Sequence, residues 1–308
     1  MELIASGLNL RPIAALCLAG AALVLSVFLS CPADAAAGRI TIVSGGGPRS
    51  AIFIEHYRLK KGRRPAIIVL RAPRKSGARL HRSLGLEEMA RSSGAILVYP
   101  EPQSGRWAEA SSAEPNHDTH FVRDLIAKLI SHGIANPAKI FLVGIGSGGA
   151  LALRLACEGK PKFAGVAVVA ASLPAGLAAS CVPPGPIPLL LIGAAEPPAA
   201  NHEGKEGVPR EKSELLSVEN TIGLFAKAAG CSEGVMTTAL PDKYLRAGAR
   251  AFRDKLNNCA VPVEAVRIEG GSHMASNVHE EAGQGAGLSY IGVNGAKLVW
   301  DFFRSLGG

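Results

Sequence analysis

The chain has few aromatic residues and no basic tail, which argues against a nucleic-acid partner. Phe, Trp and Tyr make up only 5% of its 308 residues. Proteins that bind nucleic acids combine clustered Lys and Arg with aromatic platforms for the bases. The formal net charge of +8 instead favours attraction to acidic surfaces or anionic ligands.

No two cysteines have the C-x-x-C spacing of a zinc or redox site, and we expect no metal and no cofactor. Two of the six cysteines, Cys17 and Cys31, lie in the N-terminal apolar segment. The other four are Cys157, Cys181, Cys231 and Cys259. An even number in an exported chain indicates two disulfides, for which three connectivities exist. Sequential pairing closes the smallest loops.

Only one apolar run is long, at residues 12–29. Arg11 precedes it and Ala33-Asp34-Ala35-Ala36-Ala37 follows it, a pattern typical of a signal peptide. We therefore expect residues 1–37 to be an export signal cleaved near 35–37, and the protein to be periplasmic or extracellular without membrane association. The alternatives are an uncleaved anchor, because the run is just long enough to span a bilayer, and a lipoprotein at Cys31, where Phe28 replaces the expected leucine.

Residues 38–308 are predicted to form one α/β domain. Short apolar runs, typical of strands buried on both faces, occur at 65–70, 95–99, 140–143 and 189–192. Helical spacing of apolar residues separates them, for example at 122–130. Such alternation predicts a mostly parallel sheet with helices on both faces.

The most informative segment is Gly144-Ile145-Gly146-Ser147-Gly148, between an apolar run and a helix-prone stretch. A strand, a sharp turn and a helix are the context of the nucleophile elbow, G-x-S-x-G, of serine hydrolases. Here the apex position holds Gly146, and Ser147 follows it by one residue.

Several motifs in the right order carry a family resemblance. They are Val98-Tyr99-Pro100, Gly105-Arg106-Trp107, Gly148-Gly149-Ala150, Arg154-Leu155-Ala156-Cys157-Glu158 and Glu269-Gly270-Gly271-Ser272-His273. With them the chain resembles the secreted polyhydroxybutyrate depolymerase and feruloyl-esterase-like family of α/β-hydrolases. The resemblance implies the α/β-hydrolase fold, hydrolysis of polyester, short-chain or feruloyl-type esters, and sequential pairing of the cysteines.

The resemblance also implies a triad of serine, acid and histidine. His273 matches the family histidine, and Glu196 stands where the family has aspartate; its alternative is a solvated loop charge. Ser147 is the candidate nucleophile. When the motifs are aligned, however, the family serine falls on Gly146, and Ser147 would then supply an oxyanion N–H.

The loop that holds the oxyanion in the family has changed as well. Its glycines are replaced by Arg71-Ala72-Pro73, so the oxyanion donors would be N–H groups near Gly148 and the Arg71–Ala72 turn. One lost donor costs on the order of 10²–10³ in turnover, and a lost nucleophile roughly 10⁶.

Basic residues follow in the same loop, and they have two interpretations. One is a solvated surface, and the other is an anion site in which Arg74 and its neighbours bind a carboxylate or phosphate. The basic residues are Arg71, Arg74, Lys75, Arg79 and Arg82.

Trp107 either contacts substrate or packs its own loop. The sequence thus predicts an ester hydrolase, or alternatively a non-catalytic protein that binds an anionic ligand.

His117-Asp118-x-His120 has the residue types of a metal site but stands at the start of a helical pattern. Asp118 is there more simply interpreted as an N-cap or a surface charge.

Overall fold

The computed structural model describes residues 35–56, 62–71, 85–103, 107, 116–194, 215–241, 250–269, 278–279, 289–290 and 293–307. Packing divides the chain into Met1–Pro32, which lies outside the described residues, and one compact unit, Ala33–Gly308. Among the described helices, none is long and apolar enough to cross a membrane.

Strands and helices alternate along most of the compact unit. Their order is β1 (Ala35–Ser44), β2 (Gly47–His56), β3 (Arg64–Leu70), α1 (Leu86–Ser93), β4 (Ile96–Pro100), α2 (His117–Ser131), β5 (Ala135–Ile145), α3 (Ser147–Glu158), β6 (Gly165–Val169), α4 (Ala175–Ala178), β7 (Leu189–Ala194), α5 (Val218–Ala228), β8 (Val235–Ala239), β9 (Arg250–Leu256), β10 (Val263–Glu269), β11 (Val278–His279), β12 (Ser289–Tyr290), β13 (Val293–Asn294) and α6 (Gly295–Ser305).

Ten strands form one sheet in the order β1-β2-β4-β3-β5-β6-β7-β10-β9-β8. The six central strands, from β4 to β10, pair in parallel. The two strands at each side pair antiparallel, and β11, β12 and β13 form a separate small sheet. The predicted fold, a mostly parallel sheet with helices on both faces, is confirmed.

The core lies in two layers, one on each face of the sheet. Successive side chains of a strand point to opposite faces, so Ile68 of β3 packs in one layer and Ile67 in the other. The first layer contains the apolar faces of α2, α3 and α5. The second contains those of α1 and α6, with Phe302 and Phe303 fully buried.

The described structure differs from the sequence-based expectation in four strands. Strand β1 begins at Ala35, inside the segment predicted as an export signal, and Ala35 pairs with His56. The hairpin of β8 and β9 was not predicted. Strand β5 begins at Ala135, before the predicted run 140–143, and its pairing with β3 is irregular near its start. Cleavage near residues 35–37 stays a prediction.

The interpretation of Asp118 as an N-cap or a surface charge is wrong. Asn116 caps α2, and its side chain accepts hydrogen bonds from the backbone N–H groups of Asp118 and Thr119. Asp118 is buried and forms an ion pair with Arg49 of β2, with 2.6 Å between Oδ1 and Nη2. The guanidinium of Arg49 also stacks on Phe121, 4.2 Å from the ring centroid. Asp118 therefore joins α2 to the first hairpin.

Candidate functional site

The turn between β5 and α3 has a residue with positive φ at Gly146. Its φ of 56° and ψ of −124° are those of position i+1 of a type II′ turn, the mirror image of type II. Glycine adopts this conformation without steric cost. The N–H of Gly146 donates to the carbonyl of Val169 on β6 at 3.0 Å, and its own carbonyl accepts from Gly149 at 2.8 Å. Gly146, and not Ser147, thus has the conformation of an elbow apex.

Three other glycines allow the turn to pack closely on its neighbours. A Cβ atom added at Gly148 would lie 2.1 Å from the Leu70 carbonyl oxygen of β3. One added at Gly149 would lie 2.5 Å from the Cβ of Ala171, and one at Gly144 would lie 2.6 Å from the Cα of Gly149. These positions require glycine because L side chains would collide with backbone or core atoms.

Gly146 differs from those glycines in the space around it. No atom of the described residues lies within 4 Å of a Cβ placed there, so among them only the positive φ disfavours a side chain. The described residues therefore leave room for a serine side chain at the apex, and packing against them does not explain why the chain has glycine there.

Ser147 is the first residue of α3, and its side chain is exposed. The first N–H groups of a helix have no partner within the helix and lie at its positive end. Ser147 thus brings a hydroxyl and helix-end donors next to the apex. Its predicted catalytic role stays a prediction.

The predicted oxyanion side of the site is described as far as Arg71, which follows β3. Its carbonyl accepts a hydrogen bond from the indole Nε1–H of Trp107 at 3.0 Å. Trp107 is 3% exposed and belongs to the core, and packing of its own loop stays a prediction because the rest of that loop lies outside the described residues. A contact of Trp107 with substrate stays a prediction.

Tyr99, which sequence reasoning named only within a motif, is buried beside Arg71. Burial raises the pKa of the Tyr99 phenol, the charge of Glu87 raises it further, and the charge of Arg71 lowers it. The phenol is therefore a neutral group in the core at the carboxyl end of β4. The motif Val98-Tyr99-Pro100 was the signal in the sequence that could have identified it.

A second residue with positive φ follows β6. Ala170 has a φ of 55°, and its N–H donates to the carbonyl of Ile192 on β7 at 2.9 Å. Non-glycine residues in this region are uncommon and concentrate at functional sites. Ala170 and Gly146 lie at the same edge of the sheet, where β5 and β6 end.

Several predicted site residues lie outside the described residues. They are Ala72, Arg74, Glu196 and His273. Their positions in the chain follow the carboxyl ends of strands that the structure describes: Glu196 comes after β7, and His273 after β10. In the described part of the chain, no group of three or more His, Cys, Asp or Glu side chains could hold a metal ion.

Both predicted disulfides are confirmed. Cys157, near the end of α3, is joined to Cys181, and Cys231 is joined to Cys259. The second bond closes the base of the hairpin formed by β8 and β9.

No model of a known protein family matches the chain. A protein of Nocardia uniformis subsp. tsuyamanensis named "Putative esterase NocK" is 29% identical over 228 residues, which are 68% of this chain. The chain spans 65% of the length of that relative. The structure of the acetyl xylan esterase from Aspergillus awamori is similar with a TM-score of 0.59 and 13% identity, covering 87% of this chain and 99% of that one. The protein therefore has the α/β-hydrolase fold, in a form similar to that of esterases.

Proposed function

We propose that the protein is an exported, esterase-like hydrolase whose ligand is a carboxylic ester. The observation that supports this most strongly is the turn at Gly146, at the carboxyl ends of the parallel strands. Ligands of open α/β sheets bind outside these ends. Strands β5, β6, β7 and β10 are consecutive neighbours in the sheet, so the carboxyl ends of β5, β7 and β10 lie at the same edge.

In the proposed reaction, the Ser147 hydroxyl attacks the ester carbonyl while His273 accepts its proton. Glu196 orients His273 and stabilises its charged form. N–H groups near Gly148 and at the Arg71–Ala72 turn hold the oxyanion. His273 then protonates the departing alcohol. In the second half of the reaction, water attacks the acyl group while His273 accepts its proton, and His273 returns that proton to the oxygen of Ser147 as the acid departs.

Hydrolysis by this site is slow in our proposal, because the apex lacks a hydroxyl. Ser147 attacks from the first turn of α3 and not from the apex. Loss of a serine nucleophile costs roughly 10⁶ in turnover, and a displaced hydroxyl recovers only part of that.

Polyester, short-chain and feruloyl-type esters are the proposed substrates, on the basis of the motifs shared with the depolymerase and feruloyl-esterase-like family. Export is proposed on the N-terminal pattern, and the two disulfides are typical of proteins from oxidising compartments.

A second candidate function is ligand binding without hydrolysis, and the glycine at the apex favours it. The cationic loop that begins at Arg71 would then bind an anion such as the carboxylate of an ester's acid component. Arg71 is half-buried at the end of β3, and Arg74 and the other basic residues of that loop lie outside the described residues.

Labelling with a fluorophosphonate tests the first candidate. We expect slow labelling of the wild type, loss of the label in Ser147→Ala, and no change in Ser131→Ala, which alters an exposed serine on α2. Label that persists in Ser147→Ala would exclude Ser147 as the nucleophile.

If the wild type is neither labelled nor active on p-nitrophenyl butyrate or methyl ferulate, the second candidate replaces the first. It predicts that ferulate or 3-hydroxybutyrate binds and that an Arg71→Ala/Arg74→Ala variant binds at least tenfold more weakly. Equal affinity in the two proteins would exclude the cationic loop as the binding site.

A further inference from the structure

Strand β8 is an unprotected edge of the ten-stranded sheet. All five of its residues are exposed, and Val235 and Met236 are exposed by 52% and 56%. Its sequence, Val-Met-Thr-Thr-Ala, contains no charge, proline or glycine. Proteins usually prevent edge-to-edge association with such residues or by covering the edge.

The opposite edge, β1, has the protection that β8 lacks. Arg39 of β1 forms an ion pair with Glu101, and Gly38 lies in the middle of the strand. Helix α2 packs beside the end of β1, where the Ser44 hydroxyl donates to Asp124 at 2.6 Å. The two edges of the sheet are therefore not equivalent.

The hairpin that presents β8 is held firmly. The disulfide of Cys231 and Cys259 closes its base. Thr237 of β8 donates from its hydroxyl to Asp254 at 2.7 Å, and Asp254 also pairs with Arg267 of β10. The edge strand is thus fixed to the sheet by covalent and charged contacts behind it.

The hydrogen bonds of the hairpin determine which backbone groups of β8 face outward. Leu240 donates to Ala251, and Asn257 donates to the carbonyl of Gly234. In an antiparallel ladder, residues alternate between bonding to the partner and facing away from it. Even-numbered residues of β8 therefore bond to β9, and the N–H and C=O groups of Val235, Thr237 and Ala239 point outward.

We propose that β8 pairs with β8 of a second copy of this chain, antiparallel about a two-fold axis at Thr237. That axis sets Thr237 opposite its own copy and Val235 opposite Ala239. These are the three outward-facing residues, so every outward group of one strand meets a partner on the other. The interface is isologous, as two-fold symmetry requires.

Charge distinguishes a second copy from other extended chains. A strand that pairs with itself places like charges near each other wherever it carries any, and like charges opposite each other destabilise a sheet. Strand β8 carries none, and its opposed pairs are Val with Ala, Met with Thr, and Thr with Thr. A five-residue strand gives a small interface, so the dimer is weak and its population depends on concentration.

Sedimentation equilibrium of the purified protein, from about 1 μM to about 500 μM, tests this interface in the range expected of weak dimers. Thr237→Pro removes an outward N–H and the side-chain bond to Asp254 but leaves the backbone bonds to β9. Met236→Lys places a charge on the edge. Val43→Lys is the control, because Val43 is 80% exposed on the other edge strand. Circular dichroism checks that each variant is folded.

We expect dimers of the wild type and of Val43→Lys, with a Kd at least tenfold higher in both β8 variants. A monomeric wild type over the whole range overturns the proposal, as does a Kd that neither β8 variant changes. Binding of another protein's strand peptide by a wild type that does not self-associate would identify a different occupant and overturn the proposal. Sedimentation measures self-association and not ester hydrolysis, so a negative result here would leave the proposed function unaffected.

Discussion

Gly148 lies so close to Leu70 that a Cβ atom on the glycine would stand 2.1 Å from the leucine carbonyl oxygen. This contact joins the first turn of α3 to the end of β3 and sets the distance between the glycine turn and Arg71. Both sides of the candidate site therefore depend on it.

Gly148→Ala should destabilise the protein by about 1–3 kcal/mol or more, because the added methyl group must displace the backbone of β3. Gly223→Ala is the matched control. Gly223 also lies in a helix, α5, but a Cβ there meets no atom of the described residues within 4 Å, so this change should be neutral or stabilise by up to about 1 kcal/mol. Urea unfolding measures both, and equal effects would contradict the packing described for Gly148.

Arg49→Met should cost about 3–5 kcal/mol, because it leaves the Asp118 carboxylate buried without its cation. Both side chains of that pair are 5% exposed. The matched change, Arg39→Met, breaks the pair with Glu101, whose side chains are 56% and 40% exposed, and should cost at most about 1 kcal/mol. Similar midpoints of urea unfolding for the two variants would show that burial does not determine the strength of these pairs.

Tyr99 should make the protein less stable in strong base. Burial raises the pKa of its phenol, with a further contribution from Glu87 and an opposing one from Arg71. Above pH 10 the unfolded chain loses the phenolic proton while the folded chain keeps it, so the free energy of unfolding falls as the pH rises. The wild type should lose roughly 1.4 kcal/mol per pH unit there relative to Tyr99→Phe. Parallel pH profiles of the two proteins would be inconsistent with a buried, neutral Tyr99.

Much of the fold could be predicted because the central strands are unbroken apolar runs between helical patterns. Strands β3, β4 and β7 coincide with such runs, and β5 contains one. Strand β9 could not be found in this way, because Arg253, Asp254 and Lys255 make it look like a solvated loop. Their charges are paired across the sheet, with Glu264 and Arg267 of β10 as partners, and pairs between distant segments leave no local pattern.

The glycine turn was predictable from its spacing, and the identity of its apex was not. Sequence alone allowed either Gly146 or Ser147 as the apex, since four glycines nearby could let the turn shift. The choice depends on tertiary contacts: the N–H of Gly146 bonds to Val169, and Gly148 has no room for a shift against Leu70. Similarly, Asp118 was assigned to the surface because Arg49, its partner, is 69 residues away in the chain.

We infer that Gly146 occupies the position at which the resembled family carries its nucleophilic serine, in a turn that otherwise has the form of an elbow. The kcat/KM for p-nitrophenyl butyrate in Gly146→Ser, compared with Gly146→Ala, tests it most directly. Both variants have the same backbone strain, and only the first places a hydroxyl at the apex. We predict that Gly146→Ser is at least about 10²-fold faster than Gly146→Ala, since a nucleophile is worth up to roughly 10⁶. A Gly146→Ser variant that is folded and no faster than Gly146→Ala would contradict the claim.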